Sequence, residues 1–274
     1  MLKRISTALL MLFSGLLCAQ GELRLDGPVT QGGLLVGHAR PGSEVLHDGE
    51  TVRVSPNGVF LIGFGRDASA ASELKLTLPG GEIINHPLKV APRQYKIQRI
   101  DGLPPRKVTP KPEDLERIRA DVAAAKAARK RDDARTDFLT GFQWPAQARI
   151  SGVYGSQRVL NGKPRRPHFG VDLALPEGSP VRAPADAVVT LAHPDMFFSG
   201  ATLIMDHGHG LSSSFLHLKR ILVKEGEVVK QGQVVAEAGA SGRATGPHLD
   251  WRMNLGSKRI DPALLAGPMP QSKL

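Results

Sequence analysis

Five residues in the second half of the chain have side chains that bind metals or move protons: His168, Asp172, His217, His248 and Asp250. His168 stands four positions before Asp172 in Pro167-His-Phe-Gly-Val-Asp-Leu-Ala, and His248 stands two before Asp250 in Gly246-Pro-His-Leu-Asp-Trp-Arg-Met. On an extended strand, residues two apart share a face. His248 and Asp250 are therefore expected to emerge together, with Leu249 and Trp251 turned to the other side. Imidazole and carboxylate gathered at one point are the donor set of a divalent cation, and equally the acid and base of a hydrolytic reaction. The single cysteine, Cys18, lies in the first twenty residues. If it leaves with a leader, disulfides, Cys-zinc sites and Cys nucleophiles are excluded together, and any metal must be held by His and carboxylate.

The elements around these residues read as mainly β. From Val181 onward, Val181–Leu191, Ala201–Asp206, Leu211–Leu218 and Val234–Ala238 are strand candidates broken by Gly-rich turns, which implies a core around a central antiparallel sheet. Upstream, residues 20–100 alternate polar and apolar positions between turns at Gly32-Gly33, Asp48-Gly49, Asn57-Gly58 and Pro79-Gly80-Gly81, the pattern of a small β-sandwich-like domain. His38, His47 and His86 in this part are unclustered and read as surface or locally bonded. Residues 101–141 form a Pro-rich linker followed by one charged helix over about Glu113 to Arg135, with Leu115, Ile118, Val122 and Ala125 as a thin apolar stripe. Residues 142–266 make the last domain and 267–274 a tail.

The first nineteen residues read as a secretory signal: Lys3 and Arg4, then an apolar run from Ile5 to Leu17, too short for a comfortable membrane span. Bulky Leu17 before Cys18 favours soluble export over lipid attachment. The expected location is the periplasm or cell envelope. The formal charge of +10, falling to +8 without Lys3 and Arg4, suits an acidic envelope polymer; export argues against nucleic acid.

Taken in order, the segments Arg158 to Ala174, Pro180 to Pro184, Asp206 to Gly210, Phe215 to Leu218 and Gly242 to Leu249 resemble the lysostaphin-type (LytM-type) zinc endopeptidases that cut peptidoglycan. The resemblance spans about residues 142 to 264. It implies a lysostaphin-like β-sheet catalytic domain, one zinc ion held by His168, Asp172 and Asp250, and His217 and His248 as catalytic histidines beside the attacking water. It implies peptidoglycan stem peptides as substrate, and the chain is expected to act as a monomer, with other envelope proteins as potential contacts. A second expectation within the same resemblance is a weakened relative that binds the wall or activates another wall hydrolase.

Asp250 departs from the family pattern, which has His as the third ligand. Carboxylate is an acceptable zinc donor. The exchange shortens the reach by on the order of 1 Å, a displacement that can already slow catalysis. It also adds negative charge, which is expected to weaken the metal's pull on its water. His207 and His209 form a second His-x-His, but Gly208 and Gly210 mark a turn and a turn role is expected; His193 before Pro194 is expected to be structural. The stretch Lys224 to Glu237 resembles the strand-turn repeat of lipoyl and biotinyl carriers without their modifiable lysine tip, so no cofactor attachment is expected.

Overall fold

The computed structural model describes residues 23–100, 111–160 and 162–270. The expected leader over residues 1–19 and most of the Pro-rich linker fall outside the described residues. Strands dominate, and no helix of the described residues is long and apolar enough to cross a membrane.

The first part is a sandwich of a three-stranded sheet (Leu23–Asp26, Leu34–Ala39, Val59–Gly63) and a four-stranded one (Glu50–Val52, Glu44–His47, Ala71–Thr77, Ile83–Lys89). Their inner faces close on Leu35, Val45, Phe60, Ile62, Leu74 and Leu76, and the polar–apolar alternation of Ala71–Thr77 becomes the two faces of the four-stranded sheet. The sandwich does not close on itself alone. Leu34, Val59 and Leu61 join the larger core of the second part. Polar ties add to this: Arg93 reaches Asp261 at 2.9 Å, Arg53 reaches Asp132 at 2.6 Å, and Lys258 Nζ donates to His47 Nδ1 at 3.2 Å. His47 is therefore a buried contact residue rather than a surface one, with its pKa lowered by burial first and by Lys258 next.

The second part is one large antiparallel sheet. Its strands run in the order Val228–Val229, Ala187–Met196, Gly200–Asp206, Leu211–Ile221, Leu249–Leu255, Val171–Ala174 and Arg149–Gly152, with Val234–Ala238 and Lys258–Ile260 paired alongside. Leu173, Leu203, Met205, Phe215, Leu249, Trp251 and Met253 fill one face and are fully buried. Each such side chain stabilises the fold by roughly 1.5–3 kcal/mol, and that burial fixes register: a slip of one residue would put Trp251 in the water and Asp250 in the core.

The long helix, Leu115–Ala128, lays Ala124, Ala125 and Ala128 on Leu191, Met196 and Ile204 at the other face of the sheet. Leu115 and Val122 stay exposed, as the thin stripe implies. The helix stops earlier than the sequence suggests. Residues beyond Arg129 are taken by tertiary bonds: Asp132 pairs with Arg53, the Asp133 carbonyl accepts from His209 N at 3.0 Å, and Arg135 pairs with Asp133, Asp137 and Asp206.

His207 is one of the sheet's internal fastenings. It is fully buried, donates from Nδ1 to the Asp186 carbonyl at 2.8 Å and meets Ser213 Oγ with Nε2 at 2.9 Å. Burial pushes its pKa down to about 4. Because the folded value lies below that of the unfolded chain, its contribution is present near neutrality and is lost as pH falls through the range from 6.5 to about 4. The loss amounts to about 3 kcal/mol. Urea unfolding at pH 7 and pH 4.5 should show a smaller pH-dependent loss in His207→Gln than in the wild type; equal losses would contradict the assignment.

Candidate active site

Three neighbouring strands carry the five residues. Leu211–Ile221 brings His217, Leu249–Leu255 brings Asp250 with His248 just ahead of it, and Val171–Ala174 brings Asp172 with His168 four residues before. Asp172 and Asp250 are direct cross-strand partners. His168, Asp172 and Asp250 offer ligand atoms that all lie within 4.8 Å of one another.

Glycine at two positions makes room for these carboxylates. A Cβ on Gly152, which pairs with Asp172, would sit 2.1 Å from Asp172 Oδ2; one on Gly170 would sit 2.6 Å from Asp250 Oδ1.

Two like charges placed opposite each other on a sheet repel, and burial strengthens the repulsion. Here part of the answer comes from Arg252, whose Nε donates to Asp250 at 2.9 and 3.1 Å while Nη2 grips the second oxygen. Burial alone would raise the Asp250 carboxyl; Arg252 outweighs it and, with His168 and His217, holds it below the ordinary carboxylate range. Among the described residues no guanidinium bonds Asp172, which Arg252 reaches only through space. Its Oδ1 and His168 Nε2 are both buried and without a hydrogen-bond partner, although they stand only 3.2 Å apart. Two orphaned donors of the type zinc prefers, facing a third carboxylate, fit a cation held among them.

His217 and His248 flank this cluster with ring centroids 4.8 Å apart. Each is held by a carbonyl that can only accept: Ser241 O for His217 Nδ1 and Gly246 O for His248 Nδ1, both at 2.8 Å. A proton must therefore be on Nδ1 of each ring, so that in the neutral imidazole Nε2 is the basic nitrogen. Burial lowers the His217 pKa and keeps the ring neutral near pH 7. Its backbone is left-handed, φ 61°, at a break in register between Leu211–Ile221 and Gly200–Asp206; a bulge of this kind re-aims a side chain.

All five residues line one groove of about 1890 Å³. Its walls come from the sandwich (His47, Arg53), the helix (Asp121, Arg129) and the large sheet.

In comparison with known proteins, the profile of Peptidase family M23 matches residues 166–262, the stretch that holds His168, Asp172, His217, His248 and Asp250. The chain carries a Peptidase family M23 domain. The chain is 41% identical over 97 residues to the peptidoglycan DD-endopeptidase ShyB of Vibrio cholerae, covering 35% of this chain and 22% of that protein. The chain is 36% identical over 123 residues to the DD-carboxypeptidase/endopeptidase Mpg of Neisseria meningitidis, covering 45% of this chain and 28% of that protein. The chain spans about a quarter of the length of the curated relatives it matches. A crystal structure from Pseudomonas aeruginosa described as a peptidase M23 covers 87% of this chain and 95% of its own, with a TM-score of 0.67 and 29% identity.

Within the M23 domain, Arg252 was not singled out from the sequence. It lies two residues after Asp250 on the same strand, so the alternation that joined His248 to Asp250 extends to it. Paired in this way, Asp250 and Arg252 together carry no net charge. Of the remaining histidines, His207 is structural. His209, φ 51°, packs on Phe138 at 5.2 Å, and His193 Nδ1 accepts from Asp195 N at 3.2 Å.

Two variants test this geometry. Gly152→Ala should displace the Asp172 carboxylate and weaken zinc affinity, measured against a competing chelator, about tenfold or more with circular dichroism unchanged; unaltered affinity would contradict the close fit. Arg252→Met leaves Asp172 and Asp250 facing each other unanswered. The metal-free variant should melt lower than the wild type, and zinc should raise its melting temperature by more than it raises the wild type's; equal zinc shifts would contradict the role given to Arg252.

Proposed function

We propose that this chain is an exported zinc-dependent endopeptidase that hydrolyses peptide crosslinks of bacterial peptidoglycan. The observation that carries the proposal is the pair of orphaned atoms, His168 Nε2 and Asp172 Oδ1, set opposite Asp250 and beside two imidazoles with free Nε2 atoms. The names of the relatives, ShyB among them, point to peptidoglycan as the substrate.

His168, Asp172 and Asp250 would hold one zinc ion, which supplies a Lewis acid for the scissile carbonyl and eases deprotonation of water. The chain's own residues do the rest. Neutral His217 presents Nε2 as the proton acceptor for the attacking water, and His248 presents a second imidazole across the same point. Once protonated, an imidazole can return the proton to the departing amide nitrogen and complete hydrolysis. The Ser241 and Gly246 carbonyls hold both rings in the tautomer this requires. Arg252 keeps Asp250 ionised and oriented. A protein that only bound the wall or activated another hydrolase would make no use of two fixed, free imidazoles.

The test is incubation of the zinc-loaded chain with crosslinked muropeptide dimers and analysis of the products by mass spectrometry. Dimers should be converted to monomers and chelator should stop the reaction. His217→Ala and His248→Ala should each lower kcat by about 100-fold or more while retaining zinc. No cleavage by metal-loaded protein, or full activity in both variants, would contradict the proposal.

A further inference from the structure

The floor of the groove carries positive charge that its own residues do not answer. Arg129, Arg166, Arg252 and Arg259 line it from different elements: the C-terminal end of the long helix, the loop before His168, and the adjoining strands Leu249–Leu255 and Lys258–Ile260. Only Arg252 has a carboxylate, Asp250. Among the described residues the other three form no ion pair. Arg129 donates to Ser214 Oγ at 3.0 Å and to the Ala125 carbonyl at 3.2 Å, and its Nε is buried with no partner. Arg259 donates to the neutral Asn254 side chain at 3.0 Å. Arg166 and Arg259 both stand over the ring of Phe169, at 5.5 and 5.7 Å from its centroid.

The cost of this arrangement is visible in the groups themselves. Burial, then Arg252 and Arg166, pulls Arg129 down to about 10; burial, then Arg129, Arg166 and Arg252, pulls Arg259 down to about 9. Guanidiniums that repel one another in a half-buried groove, each fixed by a neutral neighbour, are donors arranged in advance for an oxyanion. A planar carboxylate matches the guanidinium fork with two parallel bonds, and releases the mutual repulsion as it binds.

We propose that Arg129, Arg166 and Arg259 form an oxyanion subsite beside the metal-ligand cluster, and that its ligand is a free carboxylate of an acidic peptide lying along the groove. This assignment rests on the reading of the site as a peptidase for peptidoglycan, whose stem peptides carry free carboxylates. The subsite would set the register of the substrate: the anchored carboxylate fixes which amide reaches His217 and His248. Arg252 stays with Asp250 and contributes only long-range attraction. Phosphate offers similar oxygens, so the test must separate the two sources.

The experiment measures binding of the full zinc-loaded chain to a crosslinked stem-peptide dimer, to the same dimer with its free carboxylates amidated, and to inorganic phosphate, each by calorimetry at fixed ionic strength. The acidic dimer should bind the wild type about tenfold or more tightly than the amidated one, a comparison that needs no mutation. Arg129→Gln and Arg259→Gln should erase that preference, and in turnover should raise KM with little change in kcat. Equal binding of acidic and amidated dimers, or an unchanged preference in both variants, would overturn the subsite. Binding of phosphate to these arginines without discrimination between the dimers would also overturn the peptide assignment. The two proposals fail separately: arginine-dependent binding without cleavage would contradict the endopeptidase, whereas cleavage indifferent to amidation would contradict only the subsite.

Discussion

Two carboxylates facing each other across a pair of antiparallel strands are the constraint around which this structure is arranged. Asp172 and Asp250 meet because Val171–Ala174 and Leu249–Leu255 are neighbours in register, and the register is held from the other face by Leu173, Leu249 and Trp251 in the core. A carboxylate pair in that position is stable only with positive charge close by. Arg252 supplies it to Asp250, and Asp172 is left with His168 and an unpartnered oxygen. The unpartnered oxygen thus arises from the backbone pairing itself rather than from the surface.

The same logic extends outward. Gly152 and Gly170 are bare where a methyl group would displace a carboxylate. His217 takes a left-handed backbone, a sparsely populated conformation for a residue with a side chain, at a register break that turns its ring toward His248. Carbonyls of Ser241 and Gly246 choose the tautomer of both rings. The sandwich and the helix then complete the groove, along which arginines stand from the helix end, the loop before His168 and the large sheet.

Much of this was legible in the sequence because it depends on local periodicity. The two-residue alternation separated His248 and Asp250 from Leu249 and Trp251, and turn residues marked the strands. What the sequence did not disclose depends on contacts between distant segments. Arg252 could have been placed beside Asp250 by the same alternation, yet nothing local said that its guanidinium would turn back on that carboxylate rather than reach solvent. The convergence of Arg129, Arg166 and Arg259 needed the helix end, the loop before His168 and the strand Lys258–Ile260 to be brought together. The early end of the helix and the burial of His47 have the same origin, since ion pairs to Arg53 and a bond from Lys258 decide them. The charge balance at Asp250 was hidden for the same reason, since it depends on the guanidinium of Arg252 beside it.

The central claim is that His168, Asp172 and Asp250 together hold one zinc ion. Anomalous diffraction at the zinc edge from crystals of the full chain grown with zinc tests it most directly. The account predicts a single strong peak bonded to His168 Nε2, Asp172 Oδ1 and an oxygen of Asp250, with Arg252 still in contact with the other oxygen. Absence of zinc from this position, or zinc held without Asp250 while that carboxylate stays closed on Arg252, would contradict it.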